Sequence, residues 1–434
     1  MAGTVRAGSR LAADRVRQMF RSRGWGFQRL AESHAGGVAG DTLVAIALAG
    51  TLFFQVPTAE ARENVLLYLL ITLAPFAVIG PFLGRVYERY PSAYRGGLVL
   101  SSIGRAIVCV VMAIWLDTFL LFPFAFLLLV LSRFHGISRS SLLPVVLESR
   151  RDLVSANAQL ARIGVVAAAV IVPIGAFGVW QFGPWVALLM AAICFAASAL
   201  AATRLPAIDL RAMASVAEAE EQGQQRLPIT PRSVRLARFA TAGVRFLNGF
   251  LLLLVAFAFS TRDAGILDFS AFLAAGGLGY YAAAFFTPVL DRHLSEEPMV
   301  VVGLAVEAGA AFVAAQVFGL PAAAALAAAA GFAWGTAKIG FDGLLQSSVP
   351  AAIRGRAFTN SETFFQVAWV LGALLPVIPG WPVEFGLIMA GLMALAVQVV
   401  YVSLVLVPVV EARRRAVEPD PGYAGNSDVM DILS

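Results

Sequence analysis

One lysine, two cysteines and three histidines are spread over 434 residues, and only 14% of the chain is charged. Each shortage excludes something. His34, His135 and His293 are scattered with no metal-ligand spacing. Cys109 and Cys194 fall inside apolar runs, so no disulfide is expected. No G-x-x-x-x-G-K-S/T phosphate loop occurs, which leaves the chain without a recognisable ATP motor. No spacing proposes a nucleophile and its base. Neither an enzyme activity, a cofactor nor a metal is expected.

What is present is apolar. Hydrophobic residues make up 59% of the chain, more than a soluble protein of this length can hide. Runs of about 20 apolar residues match the bilayer core. They fall near 37–56, 64–84, 97–116, 119–136, 159–180, 184–203, 237–259, 270–290, 298–318, 322–343, 360–379 and 384–409. A membrane β-barrel would show weaker, alternating segments. These solid runs, rich in Ala, Leu, Gly and Phe, predict an all-α integral membrane protein with twelve transmembrane helices.

The net charge of +5 is a topology signal and does not point to nucleic acid. Arg and Lys collect in cytoplasmic loops. With the N-terminus inside, alternate loops hold Arg85, Arg89 and Arg95, then Arg139, Arg150 and Arg151, then Arg354 and Arg356. The opposite loops hold only Arg62 and Arg262. A multi-pass protein of the cytoplasmic membrane with both termini inside is expected. Residues 1–35 carry seven Arg among interleaved apolar side chains. No apolar core precedes Gly36, so a basic amphipathic segment on the inner membrane surface is expected, with no cleaved signal.

The sequence is written twice. "GRVYERY" (84–90) ends one apolar run with Glu88 and Arg89, and "TPVLDRH" (287–293) ends another with Asp291 and Arg292. Asp291 lies 291 − 88 = 203 residues after Glu88. Asn157 and Asn360, and Pro173 and Pro376, share that offset. "SLLP" (141–144) and "GLLQ" (343–346) lie close to it. Two six-helix pseudo-repeats follow, 36–204 and 236–410. They are joined by a cytoplasmic linker, 205–235, and followed by a cytoplasmic tail, 411–434. Parallel repeats of this kind build a substrate site at the membrane midplane, between halves that rock.

On these features the chain resembles the major facilitator superfamily. That family's loop between helices 2 and 3 reads roughly G-x-x-x-D-R-x-G-R. This chain offers Gly84, Glu88 and Arg89, with Arg95 displaced and Pro91 where the second Gly belongs. Gly40–Asp41, Arg105, "LVSANA" and "RGRAF" resemble the bacterial exporter branch that includes the enterobactin exporter. The fragment "VIVPIGAFG" (170–178) resembles part of a drug–proton antiporter motif. The resemblance implies a secondary active transporter, proton-coupled and exporting a small, amphipathic organic molecule. It also implies a monomer whose partners are its substrate, protons and the lipid bilayer. An importer, a lipid translocase or a non-transporting accessory protein on the same fold are the alternatives. Gly84, Glu88, Arg89, Asp291 and Arg292 would form gating loops. Glu88 would meet the start of span 11 near Thr359–Ser361, and Asp291 the start of span 5 around Ser155–Asn157. The other reading of these Arg residues is topology anchors.

Ionisable groups in a span are costly and need a reason. In the superfamily, helices 1, 4, 7 and 10 line the central cavity. Carried over, they hold Asp41, Arg133, Arg245, Asn248, Lys338 and Asp342. Asp41 and Arg245 are expected at comparable depth in opposite halves, where they could pair or bind a zwitterion. Asp41 could instead cap helix 1. Lys338 and Asp342, at i,i+4, share a helix face and can neutralise each other. Arg133 and Gly136 approximate a helix 4 pattern tied to proton coupling, one residue short, and His135 reads as interfacial. Arg105 and Glu307 sit on helices peripheral in the family and should stabilise packing. Glu362 closes "TNSE", the spacing of a helix-capping box.

Overall fold

The computed structural model describes residues 18–48, 94–116, 118, 120–147, 152–205, 231–260, 266–293, 299–378 and 382–406. They form α1 (Gly24–Leu48), α2 (Tyr94–Ile114), α3 (Leu121–Val146), α4 (Leu153–Phe182), α5 (Pro184–Thr203) and α6 (Pro231–Ser260). Then come α7 (Ile266–His293), α8 (Met299–Gln316), α9 (Leu320–Ser348), α10 (Ala351–Leu374) and α11 (Val383–Tyr401). Among the described residues nine helices are long and apolar enough to cross a membrane, and no strand occurs. The architecture is all-α and membrane-spanning. The second expected span, 64–84, lies outside the described residues, together with Gly84, Glu88 and Arg89.

The helices are two-faced in the sense a bilayer demands. On α2 the exposed side chains Leu100, Ile103, Ile107, Val110 and Ile114 recur every three or four residues. Leu98, Ser102, Arg105, Cys109 and Met112 occupy the opposite, buried face. The apolar stripe points outward, as a lipid-facing surface would, and the polar groups turn inward.

Packing repeats as the sequence does. α1 lies against α4 and α5, and α2 against α3 and α5. In the second half α6 lies against α10 and α11, and α8 against α9 and α11. The halves meet where α4 touches α7 and α9, and where α3 touches α9 and α10. Close crossings use glycine. A Cβ on Gly249 of α6 would stand 2.1 Å from the Trp369 carbonyl oxygen of α10, and one on Gly372 would stand 2.0 Å from the Phe246 oxygen.

Several helices run well past their apolar cores. α4 has 30 residues, about 45 Å at 1.5 Å per residue, against roughly 30 Å of hydrocarbon. Two expectations change as a result. Residues 24–35 do not form part of a separate surface segment. They open α1, with Phe27, Leu30 and Ala31 fully buried. Gln28 and Arg29 both reach Glu32 along the helix, 2.8 and 2.6 Å away, which satisfies the carboxylate on this polar turn. Likewise α10 begins at Ala351, nine residues before the expected start at 360. The repeat markers survive unequally. Pro173 lies inside α4, and Pro376 lies in the 3-10 turn Leu375–Val377 after α10.

Candidate functional site

One end of the bundle is sealed by polar contacts between the halves. Asn157, in the first turns of α4, donates its amide to Gln346 Oε1 on α9 at 2.6 Å. Gln346 Nε2 donates to the Ser140 carbonyl on α3 at 2.9 Å. The Gly355 N–H of α10 donates to the Tyr94 hydroxyl at the start of α2, at 3.2 Å. On the flank of this seam, Arg162 of α4 stacks over Phe285 of α7 at 4.9 Å. Asn157 therefore meets Gln346, and its repeat partner Asn360 is exposed. The side chains of Asp291 and Arg292 lie outside the described residues, as does Glu88, so neither expected latch is placed.

Beyond the seam is a cavity of about 470 Å³ walled by both halves. The first half contributes α1, α3 and α4, and the second contributes α6, α7, α9 and α10. Of the predicted site residues, Asp41, Arg133, Arg245, Lys338 and Asp342 line it together. Asn248 does not. It lines an adjoining cavity of about 420 Å³ and donates its amide to the Val244 carbonyl at 2.9 Å.

The charges are paired differently from expectation. Asp41 does not pair with Arg245. Both of its carboxylate oxygens lie 3.2 Å from Arg105 Nη1, and the Ser132 hydroxyl donates to one of them at 3.0 Å. Arg105 is fully buried on α2 and packs 4.3 Å over the Phe195 ring. Arg105 projects from a helix behind the cavity wall, so helix number alone did not mark it as Asp41's partner. Arg245 instead lies over Trp334 at 4.6 Å and Trp369 at 5.8 Å.

Lys338 bonds Asp342 one helical turn on, as the spacing predicted. It also holds Glu362 of α10 at 2.8 Å. Glu362 is not a capping residue, because α10 starts eleven residues before it. The Thr359 hydroxyl bonds the Gly355 carbonyl at 2.8 Å, inside the helix. Placing the helix start at the apolar core hid this cavity carboxylate.

His135 is not interfacial. It is buried, with Nδ1 within 3.3 Å of the Ser102 hydroxyl and 3.4 Å of that of Ser101. His34, also buried, is 3.1 Å from the Leu160 carbonyl through Nε2 and 3.0 Å from Arg139 through Nδ1. The arrangement assigns the proton to Nε2 and lets Nδ1 accept from Arg139. Arg139 was expected in a loop, and it stands on α3 at the cavity. Glu307 of α8 is buried, with no hydrogen-bond partner for either oxygen among the described residues.

The arrangement of these helices matches known solved structures. A bacterial homologue of the iron transporter ferroportin, in an outward-facing state, superposes with a TM-score of 0.63 at 15% identity. The match covers 87% of this chain and 98% of that one. The chain has the major facilitator fold. The human organic anion transporter MFSD10 (TETRAN) matches with a TM-score of 0.60 at 15% identity, over 86% of this chain and 99% of that one. The major facilitator superfamily transporter FucP, in the outward conformation, matches at 0.59 and 13% identity, over 87% and 97%. Among curated proteins, an uncharacterized protein of Mycobacterium leprae is 27% identical over 424 residues, covering 85% of this chain and 72% of that protein. An uncharacterized protein of Mycobacterium tuberculosis is 36% identical over 137 residues, 30% of this chain and 24% of its own length. No family model matches the chain.

Proposed function

We propose that the protein is a secondary active transporter that moves a small amphipathic organic molecule across the cytoplasmic membrane by alternating access. The observation that carries this reading is the cavity lined by both halves behind a seam of polar contacts and apolar packing between them. Hydrogen bonds such as Asn157–Gln346 are cheap enough to part and reform in a cycle, at about 0.5–1.5 kcal/mol each. A cavity that stays shut at one end and can open there exchanges its contents between the two sides.

Arg placement supports reading the sealed end as cytoplasmic, with both termini there, and on that reading the cavity faces outward. Residues 36–204 and 236–410 act as the rocking halves, with 205–235 as the cytoplasmic tether and 411–434 as a tail. Residues 24–35 belong to the first half. Gly84 and Glu88–Arg89, together with Asp291–Arg292 at the end of α7, act as the gating elements. Export in exchange for protons, by a monomer, is the energetic reading, because the spans hold carboxylates and the sequence holds no ATP motif. An organic cargo is favoured over a metal cation. Each carboxylate of the cavity faces a cationic side chain, with Asp41 on Arg105 and both Asp342 and Glu362 on Lys338.

Proteoliposomes loaded with pyranine and holding an acid-inside pH gradient test the reading. A panel of amphipathic organic compounds added outside should include members that drive proton flux only when the protein is present. Equal flux in protein-free liposomes across the panel would sink proton-coupled transport.

A further inference from the structure

Two cavities meet at one cationic side chain. Arg245 lines both the central cavity and the 420 Å³ side cavity. The side cavity belongs to the second half alone. Its walls are apolar, including Leu251, Leu252, Phe272, Leu273 and Leu326, and Trp334 and Trp369 stand at its junction with Arg245. The Asn248 amide there is already spent on a backbone carbonyl.

Asp41 is held by Arg105, and Asp342 and Glu362 are held by Lys338. Arg245 has no carboxylate within ion-pair distance among the described residues, and its guanidinium lies against two indole rings. Aromatic faces stabilise a guanidinium and fix its plane, and they leave its N–H edge unspent. Three carboxylates line the central cavity, against Arg133, Arg139, Arg245 and Lys338, with Arg105 directly behind. The excess is positive. An ammonium group entering this space finds every carboxylate engaged, and an anionic group finds a planar donor edge ready for charge-assisted hydrogen bonds.

We propose that the bound molecule is an organic anion with a compact apolar body, its anionic head on Arg245 and its body in the side cavity of the second half. This deepens the transporter reading and rests on it. An apolar body in a preformed apolar recess supplies affinity, and the single charged contact supplies orientation.

The test uses three ligands of one shape and different charge: 2-naphthoate, 2-naphthylmethanol and 2-naphthylmethylammonium. Calorimetry and thermal shift on the purified full chain in detergent read the binding. We expect 2-naphthoate to bind at least tenfold tighter than the other two and to raise the melting temperature. Arg245→Gln should remove that preference, and Arg245→Lys should keep part of it, which separates loss of charge from loss of fold. Leu252→Trp, which fills the side cavity, should abolish the preference for 2-naphthoate over the smaller benzoate. Tighter binding of the ammonium compound, no 2-naphthoate binding up to its solubility, or unchanged affinity in a folded Arg245→Gln variant would each overturn the inference. Anion binding without movement of 2-naphthoate into proteoliposomes would leave the site standing and sink the transporter reading instead.

Discussion

Arg105 on α2 and Asp41 on α1 form one ionic unit, with a single guanidinium nitrogen 3.2 Å from each carboxylate oxygen. The arginine is fully buried, and the aspartate keeps contact with the cavity. Removing Asp41's charge therefore strands a cation in the interior. Asp41→Asn should cost on the order of 3 kcal/mol, the low end for breaking a buried pair because the carboxylate is partly wetted. The double variant Asp41→Asn, Arg105→Gln should lose less than the two single losses added. Asp41→Asn with Arg245→Gln should be additive. Melting curves of the purified variants decide this, and coupling to Arg245 instead of Arg105 would contradict the pairing.

The seam sets a second expectation. Gln346→Ala removes a donor and an acceptor at the sealed end, from Ser140 and from Asn157. A loss of about 1 kcal/mol moves a balanced equilibrium about fivefold. Ala168 lines the cavity. In a background lacking Cys109 and Cys194, Ala168→Cys should react faster with a thiol reagent applied from the sealed side when Gln346→Ala is present. An unchanged rate would mean that other contacts hold the end shut.

Glycine substitutions should split by position. Gly249→Ala drives a methyl to 2.1 Å from a backbone oxygen, so α6 and α10 must separate. That shift moves Arg245 and Glu362 relative to one another, and both stability and transport should fall. Gly309 of α8 has nothing within 4 Å of its would-be Cβ, so Gly309→Ala should be neutral or gain up to about 1 kcal/mol of helix propensity. Melting temperatures of the two variants give the comparison.

Glu307 is buried with both oxygens unpartnered among the described residues. An uncompensated carboxylate costs free energy on burial, while a leucine of similar reach does not. Glu307→Leu should melt higher than the parent. Lower stability in the variant would reveal a polar partner.

Orientation is open to direct labelling. Thr203 ends α5 at the sealed end, where its carbonyl accepts from Arg95 at 2.6 Å. Thr118 precedes α3 at the opposite end. In intact cells an impermeant thiol reagent should reach a cysteine at Thr118 and miss one at Thr203. The reverse pattern would invert the topology.

Much of the fold was legible because a bilayer makes its demands in plain composition. Eleven of the twelve expected spans coincide with a described helix, and the recurring offset matches a packing pattern that repeats along the chain. Lys338 and Asp342 were legible because i,i+4 spacing fixes a shared face. Three things were not. Helix ends beyond the apolar runs carry no hydropathy signal, so the sequence places the starts of α1 and α10 too late. Phe27, Leu30, Ala31 and His34, spaced i, i+3, i+4 and i+7, were the amphipathic clue to the first of these. Glu362 reads as a cap from its spacing because its role depends on where α10 begins. The Asp41–Arg105 pair depends on how α1, α2 and α5 stack, which is a property of packing and is not written in spacing.

Lys338, held between Asp342 and Glu362, is the sole lysine of the chain. Amine chemistry on this protein is therefore single-site chemistry, apart from any terminal amino group. A reagent that acylates lysine reads one position deep between the halves, while the thirty-one arginines stay silent. The rate of that one reaction rises as the carboxylates let go of the ammonium and solvent reaches it. The native chain thus carries its own reporter of an open interior, with no engineered label.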